Sequence, residues 1–126
     1  KKGGIQMNKI NITKISPETP VLASYIRRMS SWGKNGAFCS EVVAEKKENS
    51  NFYGIFYGEN FLAGSVIEHD EAKSNAYITV ANGSINHFDE IENASREQLT
   101  NIAKDLFGEE ITVVFPVPTV KKIGTR

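Results

Sequence analysis

Between Asn51 and Glu68 the chain reads NFYGIFYGENFLAGSVIE, two apolar runs on either side of a Gly-Glu-Asn turn. In the first run a period of two places Phe52, Gly54 and Phe56 on one face and Tyr53, Ile55 and Tyr57 on the other. Both faces are apolar, the pattern of a central strand covered on two sides rather than an edge strand facing water. Gly58-Glu59-Asn60 tolerates positive φ and predicts a three-residue hairpin connection. Gly64, inside the returning strand, predicts a bulge or a neighbour that needs the missing side chain.

The flanking pattern adds further elements. Ile10 and Ile12 alternate with polar residues in a first strand over Met7 to Ile15. Thr19-Pro20 suits the cap and first position of a helix in which Leu22, Ile26 and Met29, with Tyr25 and Trp32, recur at helical spacing until Gly33. Lys34 to Ser50 is less readable: Asn35-Gly36 is a turn signal, and Phe38 to Lys47 reads as a helix capped by Ser40 or a strand through Val42 and Val43, with helix the preferred reading. Ala76 to Ala81 is rich in β-branched residues and predicts a strand, and Asn82-Gly83 then turns the chain into a short extra strand over Ser84 to Phe88. Ser95 and Gln98 form a capping box ahead of the stripe Leu99, Ile102, Ala103, Leu106 and Phe107, which Gly108 ends; that stripe should pack on one of the hairpin's two faces. Ile111, Val113, Phe115 and Val117 alternate in a last strand, and Pro116 and Pro118 give it an edge position or an early exit. The fold class that follows is α+β, a mixed, mostly antiparallel sheet of about five strands with two or three helices packed on it.

With 126 residues the chain has the length of one domain. Residues 1-6 read as a leader or tag, 7-118 as the domain and 119-126 as a flexible tail. The single cysteine, Cys39, has no partner for an internal disulfide, and with only His69 and His87 beside it falls short of a structural zinc set. A reducing, cytoplasmic setting is expected, with no membrane span and no metal. Net charge is zero, which excludes a nucleic-acid footprint at the level of the whole chain. The distribution is uneven, because Gly64 to Glu110 holds ten acidic residues against three basic ones.

The order of elements, together with GIFYGENFLAGSVIEHD, resembles the GNAT acyltransferase family over roughly Met7 to Phe115. The resemblance implies a helix pair after the first strand, a meander containing the step Leu62-Ala63-Gly64, and N-acyl transfer from acetyl-coenzyme A. It also implies a loop of the form Gln/Arg-x-x-Gly-x-Gly/Ala whose backbone N–H groups hold the cofactor's pyrophosphate at a helix start. The matching stretch, Ala81 to Arg96, departs from that pattern: it holds one glycine, Gly83, and the acidic residues Asp89, Glu90 and Glu92.

Weighed against the bland alternatives, the candidate chemistry is sparse. Glu68-His69-Asp70-Glu71 has ligand-type side chains, but neighbours on one loop seldom converge on an ion. Cys39 with a histidine would make a nucleophile and base, yet a lone cysteine beside Phe38 and Val42 is more simply a core residue. Tyr53, Tyr57, Tyr77 and Trp32 read as packing. The missing phosphate loop and the acidic segment favour a small non-enzymatic binding protein, of inhibitor, immunity or regulatory type, that uses no cofactor. Such a protein would offer Glu68, Asp70, Glu71, Asp89, Glu90 and Glu92 to a basic protein partner. The other reading is a GNAT-like N-acyltransferase using acetyl-coenzyme A.

Overall fold

The computed structural model describes residues 10–16, 18–45, 50–82 and 88–116, without the side chains of residues 50, 88–92 and 94. The order is β1 (Ile10–Lys14), α1 (Leu22–Met29), α2 (Gly33–Glu45), β2 (Ser50–Tyr57), β3 (Asn60–Asp70), β4 (Asn75–Asn82), α3 (Phe88–Phe107) and β5 (Thr112–Val114). The five strands form one sheet in sequence order. β1 to β4 are antiparallel neighbours, and β5 joins parallel to β4 because α3 carries the chain back across the sheet. Among the described residues no helix is long and apolar enough to cross a membrane.

Alternation along β2 divides the core into two layers, as its sequence predicts. Phe52 and Phe56 join Met29, Cys39, Val42, Val43, Phe61, Val66 and Ala81 beneath α1 and α2. Tyr53, Ile55 and Tyr57 face the opposite way, with Ile67, Ile78, Leu99 and Ala103 beneath α3. A bulge keeps the hairpin in phase with both layers: Ile55 pairs with Ala63 and Phe56 with Phe61, so Leu62 is the extra residue on β3. The hairpin turn is tighter than the three-residue connection expected, because Tyr57 pairs with Asn60 and leaves Gly58 and Glu59 as its tip, with Gly58 at φ 63°.

Gly64 answers to a close neighbour. It lies between Gly54 of β2 and Ala81 of β4, and a Cβ there would run into the Sδ of Met29 and stand 3.0 Å from the Phe52 ring. Met29, fully buried, thus seats the end of α1 directly on the sheet.

Several local expectations are corrected. α1 begins at Leu22 without a side-chain cap, because Thr19 and Pro20 are taken up in a turn closed by the Leu22 N–H on the Thr19 carbonyl at 3.0 Å. Gly33, at φ 80°, begins α2 after a short break, and Asn35-Gly36 lies inside that helix. Ser40 does not cap α2; its hydroxyl donates to the Ala37 carbonyl in mid-helix. α3 starts at Phe88, seven residues before Ser95, so Ser95 is a fully buried helix residue and the capping box does not form. The extra strand fails at Phe88 for the same reason, and its remaining residues lie outside the described ones. Leu106 is 43% exposed, whereas Leu99 and Ala103 are fully buried and Ile102 and Phe107 partly so. The stripe therefore packs on the Ile55 face through four of its five members.

Replacing Leu99 by Ala should cost about 2–5 kcal/mol, as for a buried leucine, whereas Leu106→Ala should move the urea midpoint by far less; equal losses would contradict this orientation of α3. Gly36 supplies a second check, because a Cβ there would collide with the Met29 carbonyl oxygen and stand 2.8 Å from the Trp32 Cβ. Alanine ordinarily favours a helix interior over glycine by about 1 kcal/mol. Gly36→Ala should reverse that sign and lower the melting temperature.

Candidate active site

Among the inner strands, β4 is the one whose two edges are paired most unequally. One edge is bonded to β3 along its whole length, from Asn75↔Asp70 to Ala63↔Asn82. The other is bonded to β5 only at Asn75, Ala76 and Tyr77, opposite Thr112, Val113 and Val114. Beyond Tyr77 β4 has no further pairing with β5 among the described residues.

Which groups this unpaired edge presents follows from the pleat. The Thr112 N–H donates to the Ser74 carbonyl at 3.0 Å, and alternate residues of a strand turn their N–H and C=O to the same side. Ala76, Ile78, Val80 and Asn82 therefore face β5, and Asn75, Tyr77, Thr79 and Ala81 face β3. At the unpaired end the Ile78 carbonyl and the Val80 N–H point away from β3. The Val80 carbonyl is met by Nδ2 of Asn35 at 3.3 Å, so α2 reaches the same place from the other layer.

The β2–β3 turn lies at this end of the sheet too, since Asn82 pairs with Ala63. Around it the Tyr25 and Phe61 rings stack with centroids 4.2 Å apart, and Trp32 lies 5.9 Å from Phe61. The Arg28 guanidinium stands 5.5 Å from the Phe61 ring centre and donates to the Phe61 carbonyl at 3.0 Å. The unpaired stretch of β4 is thus tied to α2 by Asn35, and the aromatic group with Arg28 lies around the hairpin at the same end of the sheet. α3 begins at Phe88, five residues beyond β4. The connection is Gly83-Ser84-Ile85-Asn86-His87 and contains no carboxylate.

The acidic residues named from the sequence do not form one surface. Glu68, Asp70 and Glu71 line, with His69 and Tyr77, an open depression of about 420 Å³ at the far end of β3 and β4. Asp70 Oδ1 accepts the Lys73 N–H at 3.4 Å within the turn there. Asp89, Glu90 and Glu92 fall in the opening turns of α3. Because His69 stacks on Phe107 at the other end of that helix, with ring centroids 4.1 Å apart, the two clusters are separated by most of its roughly 30 Å length. Among the described residues no group of three or more His, Cys, Asp or Glu could hold a metal ion.

Cys39 and His69 do not meet either. Cys39 is buried beneath α1 and α2, where burial and then the Glu68 carboxylate push its thiol up to about 12, while His69 faces α3. A protonated buried thiol on the opposite layer is a packing residue. His87 lies outside the described residues. Asn35 was read from the sequence as turn-forming, and no local signal marks it as the residue that reaches β4.

No family model matches the chain, and no curated protein matches it in sequence. Solved structures do match in fold. A probable acetyltransferase from Staphylococcus epidermidis is 18% identical, with a TM-score of 0.54 over 79% of this chain and 69% of that one. A ribosomal-protein-alanine N-acetyltransferase from Brucella melitensis is 10% identical, with a TM-score of 0.64 over 91% and 84%. A predicted acetyltransferase from Clostridium acetobutylicum, solved with acetyl-CoA, is 14% identical, with a TM-score of 0.51 over 93% and 90%. These matches correct the expectation of a non-enzymatic binding protein of inhibitor or immunity type, which rested on a missing loop and an acidic segment. The parallel strands joined through α3, the two-layer core and the element order together give this chain the fold of the GNAT acetyltransferases.

Proposed function

We propose that the protein is an N-acyltransferase that takes its acyl group from acetyl-coenzyme A. The observation that carries this reading is the open edge of β4, where the Ile78 carbonyl and the Val80 N–H have no paired strand beside them among the described residues. Unpaired strand edges bind extended chains through main-chain hydrogen bonds. The pantetheine arm of coenzyme A is an extended chain with two amides, so acceptor and donor of the edge fit its groups. A ligand where the pairing of parallel strands ends, beyond their carboxyl ends, is also where open α/β sheets place their crevices.

The start of α3 fits the phosphate end less simply. Its first N–H groups are without helical partners and attract an anion. Asp89 and Glu90 in the same turn complete the helix dipole from within and compete with that attraction. The connection ahead of the helix is free of carboxylates, so Asp89, Glu90 and Glu92 belong to the opening turns of α3 and not to the loop itself.

The cofactor supplies an acyl group activated as a thioester. The chain's own part is positional. The Val80 N–H is placed to donate to a carbonyl lying along the edge, and Asn35, by holding the Val80 carbonyl, fixes that stretch of β4 against α2. Arg28, Trp32 and Tyr25, grouped with Phe61 at the hairpin end of the sheet, are the side chains this reading assigns to the acceptor.

Titration calorimetry with acetyl-coenzyme A should give saturable one-to-one binding, and release of free thiol in the presence of an amine acceptor should follow. Replacing Asp89 and Glu90 together by Asn and Gln should tighten binding several-fold, since each charge removed from a helix start is worth about 0.3–1 kcal/mol to an anion there. Absence of binding in both the parent and this variant would overturn the reading.

A further inference from the structure

The junction of α1 and α2 is one-sided in charge. From Thr19 to Ser40 the chain holds Arg27, Arg28 and Lys34 and no aspartate or glutamate. Arg28 is exposed, yet its guanidinium is held in place. Nη2 donates to the Phe61 carbonyl at 3.0 Å, and the cation stands 5.5 Å from the Phe61 ring centre and 6.0 Å from that of Trp32. A guanidinium carries five N–H groups. Among the described residues no carboxylate pairs with this one, Glu59 at the nearby hairpin tip included.

Asn35, from the first turn of α2, stands at the other end of the same junction. Its Nδ2 donates to the Val80 carbonyl at 3.3 Å. A carbonyl only accepts, so the amide nitrogen has to face it, and Oδ1 of Asn35 is left as an acceptor beside the unpaired edge of β4. The two anchor points lie along one line. Asn60 closes the hairpin against Tyr57, so the Phe61 carbonyl turns the other way, toward the line of β4 past its last pair with β3 at Asn82. Val80 pairs with Ser65, and the strand rise puts the Phe61 and Val80 carbonyls roughly 10–13 Å apart. With a hydrogen bond of about 3 Å at each end, a molecule that bridges Oδ1 of Asn35 and the Arg28 guanidinium has its own donor and acceptor roughly 5–10 Å apart. A free α-amino acid, with both groups on one carbon, is too short. Two or three peptide residues, at about 3.3–3.6 Å each, fit.

We propose that the acceptor is a short peptide of two or three residues with a free C-terminal carboxylate, its terminal amine donating to Oδ1 of Asn35 beside the cofactor edge and its carboxylate bound by Arg28. This rests on the acyltransferase reading and names the acceptor for it. The neutral amine nitrogen forms a bond to the thioester carbon, the carbon–sulfur bond breaks, and the proton shed by nitrogen leaves with the coenzyme A sulfur as free thiol. Asn35 orients that nitrogen and takes up no proton. A polycationic amine would instead meet Arg27, Arg28 and Lys34 with no counter-charge on these helix turns.

The test is thiol release from acetyl-coenzyme A with dialanine, trialanine, their C-terminal amides, alanine and spermidine as acceptors, on the parent, Arg28→Lys and Arg28→Gln, with cofactor binding followed by calorimetry. The parent should favour the better peptide acid over its amide by roughly ten-fold in kcat/KM, the scale of one charge-assisted contact, and over alanine and spermidine as well. Arg28→Gln should bring the acid-to-amide ratio close to one, and Arg28→Lys should keep part of it. A ratio within one sample is unmoved by partial unfolding of a variant. Equal use of acid and amide by the parent, or an acid preference that survives Arg28→Gln, would overturn the role of Arg28. Preferred transfer to alanine or spermidine, or cofactor binding with transfer to neither peptide, would overturn the peptide acceptor and leave the cofactor site standing. Failure of the parent to bind acetyl-coenzyme A would remove the acyltransferase reading, and this inference with it.

Discussion

The hydrogen-bonding demand of a single strand organises this molecule. β4 is bonded throughout to β3 but for only three residues to β5, and backbone groups at a strand edge need partners from somewhere. Most proteins shield such an edge with a charge, a bulge or a covering loop. Here the described pairing with β5 ends at Tyr77↔Val114, Pro116 has no N–H with which to extend it, and one edge carbonyl is met by Asn35 from α2. The remainder is an edge with a donor and an acceptor in fixed register. The rest of the fold keeps it so, because β2 and β3 are clamped between two apolar layers and cannot shift by one residue without exchanging them.

How far the sequence discloses this differs from element to element. The hairpin's two-faced pattern is readable because Phe52 and Phe56 alternate strictly with Tyr53 and Ile55, and burial on both sides leaves no polar residue to blur the period. Gly64 is readable as a position of close approach, though not that Met29 supplies the neighbour. The start of α3 is misread because Ser95 and Gln98 satisfy a local capping rule while tertiary packing extends the helix back to Phe88 and buries Ser95. Leu106 satisfies helical spacing equally well but falls at the margin of the apolar stripe, where the sheet does not reach it.

Misplacing that helix start also carries the error in function. Counted as loop, Asp89, Glu90 and Glu92 surround a phosphate site with negative charge; counted as helix, they follow a connection that has none. Clustering in sequence likewise suggests one acidic face, whereas one group lies in the opening turns of α3 and the other at the end of β3, near the far end of that helix. The site itself is nearly silent in sequence because it is made of backbone. Val80 and Ile78 enter the proposed site through their main chains, and Asn35 meets the Val80 carbonyl through a helix–strand contact spanning 45 residues. Pro116 is the exception, a residue whose missing N–H announces an early exit from the sheet.

Residue-resolved amide hydrogen exchange with and without acetyl-coenzyme A tests the central claim most directly, because it reads the edge itself. The account predicts that the Val80 amide exchanges freely in the unliganded protein and becomes protected when the cofactor is added, while Thr79 and Ala81, bonded to β3, change little. A Val80 amide already as protected as theirs, or left unchanged by saturating cofactor, would contradict it.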